Sequence, residues 1–304
     1  MKYSKIDSNL FIKNRKNFVN KLESNSVAFF NSNDIYPISA DSVLPFEQHR
    51  DIFYLSGIDQ EESILVLFPQ SNNENYKEML FIRETNDHIT HWEGEKLTKN
   101  QARDISGINN VFWTSEFDDI LKILVKEADF VYINTNEHYR QNVETQTRED
   151  RFIEKLKTIG GIKFKKSNPI LQKQRSIKDD IEIELIKKAC DITKKGFERV
   201  LKFVKPGVWE YEIEAELSHE FLKNRSKRFA YSPIIASGRN SNFLHYVDNN
   251  RQCLNGEIVL MDVAAEYANY SSDMTRTIPV NGRFSERQKI IYNAVLNVKN
   301  EATK

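Results

Sequence analysis

Apolar residues near the start of the chain recur at helical spacing. Phe11, Phe18, Val19 and Leu22 fall on one side, and the aliphatic stem of Arg15 can lie along the same stripe. This pattern predicts an amphipathic helix close to the N-terminus.

The pattern then changes to short apolar runs that alternate with helix-like stretches. The runs have strand length and are bounded by polar or turn residues, and they cover 27–30, 64–68, 79–82 and 130–133. Helical spacing returns between them, over 115–126 and 147–156. Because strands alternate with helices, the region predicts an α/β domain with a largely buried sheet.

Turn residues around Gly160 and Pro169 interrupt this alternation, and we place a domain boundary near residue 172, giving domains of 1–172 and 173–304. The second domain is predicted to open with two helices separated by Pro206-Gly207, followed by strands and turns from Ser232 to Pro279. A capping box at Ser285 starts a last helix, which is expected to bury one apolar side, made of Ile290, Ile291, Ala294, Val295 and Val298.

Composition excludes several classes of partner and location. Forty-four basic residues balance forty-four acidic residues, which argues against nucleic acid or an anionic membrane as a partner. No apolar run approaches the roughly 18 residues of a membrane-spanning helix. The charged N-terminal segment indicates a cytoplasmic protein. The cysteines Cys190 and Cys253 are too far apart for a CxxC motif and are expected to be buried thiols.

Two aspartates flank a predicted hairpin in the second domain. A tight reversal that pairs Tyr267 with Ala268 would place Asp262 directly opposite Asp273 on one face of the sheet. Like charges about 5 Å apart, at an effective dielectric of about 20, repel by roughly 3 kcal/mol. A shared proton, an arginine or bound cations would offset this repulsion. Alternatively, Asp273 pairs with Arg276 and Asp262 faces solvent.

Histidines offer a further candidate. His245 follows a Ser-Gly-Arg-Asn turn, which places it on or near a loop, although a lone histidine between apolar neighbours is often structural. His88 and His91 are interpreted as surface-loop residues, and His219 as a solvated residue on a polar helix face.

Several motifs resemble one family of metallopeptidases. The segments 261–267 (MDVAAEY), 272–277 (SDMTRT) and 279–284 (PVNGRF) resemble the metal-binding hairpin of aminopeptidase P, the Xaa-Pro aminopeptidases of family M24. Residues 237–246 resemble the segment that carries the family's first active-site histidine. Residues 51–57 (DIFYLSG) resemble the N-terminal domain that the family shares with creatinase and prolidase.

The resemblance implies a fold, a metal centre and a reaction. The second domain would be the first half of an α+β pita-bread catalytic domain, with two divalent metal ions, expected to be manganese. Asp262 would be a bidentate ligand of one ion and Asp273 would bridge both, while His245 would hydrogen-bond the scissile carbonyl or the tetrahedral intermediate. The reaction would be hydrolysis of the bond between an N-terminal residue and a following proline. The substrate would be a proline-containing peptide, and the protein is expected to be a homo-oligomer.

The sequence departs from this family in its ligand count. The family needs one further histidine and two glutamates, yet no histidine follows His245, and the only acids after Asp273 are Glu286 and Glu301 on the last helix. We therefore expect a C-terminally truncated chain that binds metal weakly and has no useful peptidase activity. We also expect an exposed apolar face that favours aggregation or dimerisation.

Two other functions remain open. A prolidase-like dipeptidase would share the fold and differ in the length of its substrate. A non-catalytic pita-bread module for binding or dimerisation would not need the site, so the presence of Asp262, Asp273 and His245 favours an enzyme.

Overall fold

The computed structural model describes residues 3–140 and 144–304. Contacts between residues divide the chain into two compact units, Lys5–Asp179 and Asp180–Lys304, the second of which includes Tyr3 and Ser4. The first unit therefore continues beyond residue 172, where the sequence places the domain boundary.

The first unit contains a mixed sheet of six strands in the order β6-β5-β4-β1-β7-β8. Strand β1 is antiparallel to β4 and parallel to β7, and the outer pairs β5–β6 and β7–β8 are parallel. Two short strands, β2 and β3, form a separate ribbon. The strands are β1 Ser26–Asn31, β2 Pro37–Ser39, β3 Ser42–Val43, β4 Ile64–Leu67, β5 Glu78–Ile82, β6 Asn110–Trp113, β7 Phe130–Ile133 and β8 Phe164–Lys166.

Apolar residues are buried on both faces of this sheet. One cluster gathers around Phe18 and Leu55, and the other around Phe29 and Phe117. The helices are α1 Ser8–Val19, α2 Arg50–Ser56, α3 Asp87–Glu93, α4 Lys99–Ser106, α5 Phe117–Glu127, α6 Arg148–Ile159 and α7 Asn168–Arg175. The predicted α/β domain with a largely buried sheet is confirmed, and the four predicted strands are present to within one residue at each end.

Two predictions in this unit needed correction or extension. His88 and His91 lie on α3, so their assignment to a loop was wrong. Asn86 caps the start of α3 by accepting from the Ile89 amide, but the helix has no buried residue and hence no apolar periodicity. Arg15 buries more than its stem: the whole side chain is 1% exposed, and its guanidinium donates to the Leu55 carbonyl at 2.7 Å and pairs with Glu78 at 2.5 Å.

The second unit begins with two packed helices, α8 Asp180–Phe203 and α9 Glu210–Lys223. Gly196 allows their close approach, because a Cβ at that position would lie 2.6 Å from the Phe221 ring. Three antiparallel strands follow in the order β13-β10-β9, and a short ribbon pairs β11 with β12. The strands are β9 Ile234–Ser237, β10 Ile258–Asp262, β11 Glu266–Tyr267, β12 Tyr270–Ser271 and β13 Thr275–Pro279.

The last helix, α10 Glu286–Thr303, does not bury the residues expected of it. None of its side chains is buried, and Ile290, Val295 and Val298 are 70%, 64% and 69% exposed. The apolar stripe is present, but no element among the described residues covers it.

Cys190 also departs from expectation, because it lies on the exposed side of α8, whereas Cys253 is buried as predicted. Within the described ranges, no helix has the length and apolar character needed to cross a membrane.

Candidate metal centre

The register of the hairpin differs from the predicted one. Asp262 pairs with Thr275 across β10 and β13, so it does not directly oppose Asp273. The prediction was wrong because the turn contains two residues, Ala268 and Asn269, both with positive φ as a type I′ turn requires. The register therefore shifts by two positions. Since side chains alternate with a period of two, the aspartates remain on one face as diagonal neighbours.

Hydroxyl groups tie the hairpin to helix α8. The Thr193 hydroxyl accepts from the Ala265 amide at 2.8 Å and lies 2.7 Å from the Ser272 hydroxyl. Tyr270 donates to Glu182 of α8 at 3.0 Å. These contacts lie between the two aspartates along the chain, so they fix the backbone from which both carboxylates project.

The two carboxylates meet at a tyrosine that the sequence analysis did not identify. The Tyr231 hydroxyl donates to Asp262 Oδ1 at 2.5 Å and lies 3.1 Å from Asp273 Oδ1. Burial raises the pKa of Tyr231, and the hydrogen bond to Asp262 raises it further. The sequence held no signal for this residue, because it lies in a loop outside every recognisable spacing.

The proposed pairing of Asp273 with Arg276 is not what organises the site. Arg276 donates to the Thr275 carbonyl at 2.8 Å. Asp262 is half-buried and Asp273 is exposed, so neither is a fully enclosed charge. The Tyr231 hydroxyl carries one hydrogen for two carboxylates, so it offsets only part of the repulsion between them.

The two carboxylates are suitable ligands for a hard divalent cation, but they are too few to form a complete site. Carboxylate oxygens are the ligands that Mg²⁺, Ca²⁺ and Mn²⁺ prefer. Within the described residues, however, no group of three or more histidine, cysteine, aspartate or glutamate side chains is placed to hold a metal ion. Asp262 and Asp273 therefore fit a metal centre as two of its ligands and do not complete one.

His245 lies in a different environment from the aspartates. It is exposed and lines a cleft of about 760 Å³ together with Trp209, Arg239 and Tyr246, and neither aspartate belongs to that lining. The structure thus brings Asp262 and Asp273 together through Tyr231 and presents His245 on a separate segment. His219 is exposed on α9, as predicted.

Two protein-family profiles match the chain. The profile described as "Aminopeptidase P, N-terminal domain" matches residues 11–132, and that described as "Metallopeptidase family M24" matches residues 184–304. The predicted N-terminal domain and metallopeptidase domain are therefore both recognised independently.

Individual relatives agree with these profiles. The chain is 30% identical to the Xaa-Pro aminopeptidase of Escherichia coli, with 96% of this chain and 67% of that protein covered. It is 30% identical to human Xaa-Pro aminopeptidase 3, with 89% of this chain and 53% of the human protein covered. The chain thus spans between about half and two thirds of the length of these relatives.

Solved structures show the same likeness. Aminopeptidase PepP of Pseudomonas aeruginosa gives a TM-score of 0.86 at 30% identity, covering 96% of this chain and 66% of that one. A variant of E. coli aminopeptidase P in complex with substrate gives 0.85 at 29% identity, covering 97% and 67%. The predicted fold, an α/β N-terminal domain followed by the first part of a pita-bread domain, is confirmed. The chain belongs to the aminopeptidase P family of M24 metallopeptidases.

Proposed function

We propose that the chain carries the N-terminal domain and the first two metal ligands of an Xaa-Pro aminopeptidase. The proposed reaction is hydrolysis of the bond between an N-terminal residue and a following proline. The observation that carries this proposal is the convergence of Asp262 and Asp273 on the Tyr231 hydroxyl. Two carboxylates on one face of an anchored hairpin are a costly arrangement unless a cation binds between them.

Each residue of the proposed site has a role of its own. Asp262 and Asp273 would hold two divalent metal ions, with manganese the expected metal. When bound, the ions would polarise the scissile carbonyl and lower the pKa of a water molecule. His245 would donate a hydrogen bond to the scissile carbonyl oxygen or to the oxyanion that forms from it.

The named relatives favour this reaction over the two alternatives. They are Xaa-Pro aminopeptidases, and one solved relative is an aminopeptidase P with substrate bound. This supports a peptide substrate with proline in second place, rather than a dipeptide alone. A purely structural module would not require the paired aspartates. The cytoplasmic location and the homo-oligomer expected from the sequence remain part of the proposal.

The ligand count limits what these 304 residues are expected to do. Two protein carboxylates bind a divalent cation weakly, in the manner of sites with few charged ligands. We therefore expect manganese binding in the millimolar range and no useful peptidase activity from this chain by itself.

A hydrolysis assay tests the proposal. The purified chain is incubated with manganese and a tripeptide that has proline second, with a matched tripeptide that has alanine second as the control. We expect no appreciable release of the N-terminal residue from either peptide. Rapid manganese-dependent release would contradict the two-ligand account. Release that prefers the alanine peptide, or that persists in Asp262→Asn, would contradict the proposed substrate class and site.

A further inference from the structure

Glu210, the first residue of helix α9, is a fully buried carboxylate outside the proposed metal centre. Oε1 accepts from the Ser237 amide at 2.6 Å and from the Ser237 hydroxyl at 2.7 Å. Oε2 accepts from the Tyr246 hydroxyl at 2.7 Å and from the Arg251 amide at 3.0 Å. Both oxygens are therefore used as acceptors, which is the arrangement that allows a carboxylate to be buried.

The donors to Glu210 belong to one stretch of chain. Ser237 ends β9, Arg251 lies fourteen residues later, and Tyr246 lies between them beside His245. Glu210 thus holds the segment 238–251 at both ends and at two internal points, Tyr246 and, through a longer contact of 3.5 Å, Asn240. Its own backbone amide donates to the Arg251 carbonyl at 3.0 Å, which fixes the same end of the segment a second time.

A second set of contacts stiffens the base of this segment. Arg251 forms two hydrogen bonds with Glu257, at 2.7 and 2.6 Å, and also donates to Ser237 at 3.0 Å. Gly238 has a positive φ, and a Cβ there would collide with the Glu257 carboxylate. The two ends of the segment are therefore held close together, next to Glu210.

The tip of the segment is exposed to solvent. Phe243 and Leu244 are 62% and 90% exposed, and His245 is exposed as well. Tyr246 is only half-exposed, and burial together with its bond to Glu210 raises its pKa. His245 thus directly precedes a residue, Tyr246, whose hydroxyl is anchored on Glu210.

We propose that Glu210 is a positioning residue that holds the segment 238–251 so that Tyr246 fixes the direction in which His245 is presented. The importance of His245 rests on the proposed function, but its positioning by Glu210 does not.

Two substitutions separate this role from general stabilisation. Glu210→Gln replaces one acceptor oxygen with an amide NH₂ donor, so the backbone amide of Ser237 or that of Arg251 loses its acceptor in either orientation. Tyr246→Phe keeps the ring and the bonds from Ser237 and Arg251 to Glu210, and removes the contacts that the Tyr246 hydroxyl makes with Glu210 and with Asn250. Glu216→Gln is the matched control, because Glu216 lies on the same helix and pairs with Arg199 outside this segment.

The readouts are hydrogen exchange over 238–252 and the ring signal of His245 in protein labelled with ¹³C-histidine, assigned with His245→Gln. We expect exchange to rise about tenfold in Glu210→Gln, and less than about twofold in Glu216→Gln. We expect Tyr246→Phe to shift the His245 signal while leaving the unfolding midpoint close to that of the unmodified chain.

An unchanged His245 signal in folded Tyr246→Phe would overturn the proposal, and so would unchanged exchange in folded Glu210→Gln. Should Glu210→Gln fail to fold, the Tyr246→Phe signal decides alone. Failure of the proposed function would appear separately, as manganese binding that does not depend on Asp262, with these His245 results unaltered.

Discussion

The Tyr231 hydroxyl lies 2.5 Å from Asp262 and 3.1 Å from Asp273, so one proton is shared between two carboxylates. A hydroxyl carries a single hydrogen and cannot satisfy both acceptors fully. The site therefore keeps excess negative charge on oxygen atoms that partly face solvent. This is the local chemistry that attracts a divalent cation.

Removing that hydroxyl should weaken the fold locally. Tyr231→Phe leaves the repulsion between Asp262 and Asp273 without compensation, and we expect a loss of about 1 kcal/mol in the free energy of unfolding. Urea unfolding measures the difference. Tyr211→Phe is the control, since Tyr211 is 52% exposed on α9 and should change stability by less than about 0.5 kcal/mol. Equal stability of the two variants would show that the Tyr231 hydroxyl does not compensate the repulsion between the two aspartates.

Substitution of Arg15 should destabilise the fold far more than its place on an amphipathic helix indicates. Its guanidinium is buried and bonds to Glu78 and the Leu55 carbonyl. Arg15→Met keeps the stem and leaves that carbonyl without a donor, so we expect a loss of about 2–3 kcal/mol. Lys16→Met, at an exposed position of the same helix, is the matched control in urea unfolding. A loss below about 0.5 kcal/mol would show that water replaces the guanidinium at no cost.

Cys253 should make stability depend on pH in the alkaline range. Burial raises the pKa of its thiol from 9.0 to about 11, with the charges of Glu210 and Glu257 adding to the effect. The folded state therefore favours the protonated thiol, and this contribution is complete below pH 9. It should fall by about 2 kcal/mol as the pH rises to about 11.

Comparison with Cys253→Ala isolates this effect from other groups that titrate at high pH. The alanine variant loses packing at every pH, so the informative quantity is the slope of stability against pH. We expect the unmodified chain to have the steeper decline between pH 9 and 11. Parallel slopes would mean that the Cys253 thiolate is tolerated in the folded state.

The exposed stripe of α10 should drive self-association. Ile290, Val295 and Val298 are all more than half exposed, and such apolar area is seldom left in water. The combined substitution of these three residues by Gln should reduce association in light scattering without lowering the unfolding midpoint. A monodisperse monomer before substitution would contradict the prediction. Leu217→Gln, at a buried position of α9, is the contrasting control and should destabilise the fold.

Local patterns were sufficient for most elements of the fold and for part of the site. Runs such as Phe130–Ile133 can be recognised in the sequence because an apolar run of strand length is also the part of the strand that becomes buried. The Asp262 register failed because the Ala268-Asn269 turn lacks the Asn-Gly signal by which hairpins are recognised. Tyr231 could not be predicted, because it reaches the aspartates through tertiary structure alone.

The same limit explains the errors at α10 and α3. An apolar stripe such as that of Ile290 and Val295 predicts a helix correctly but does not say whether another element covers it. A short helix without a buried residue, such as the one carrying His88, has no apolar face, so periodicity cannot reveal it. In both cases the missing information lies in packing partners rather than in the segment itself.

Manganese binding is the most direct test of the central claim that Asp262 and Asp273 form part of a metal centre. The electron paramagnetic resonance signal of free Mn²⁺ is titrated with the unmodified chain, Asp262→Asn, Asp273→Asn and Asp191→Asn, the last an exposed control on α8. The account predicts weak binding that falls at least about tenfold in the first two variants and is unchanged in Asp191→Asn. Binding that survives both substitutions, or tight stoichiometric binding by the unmodified chain, would contradict it.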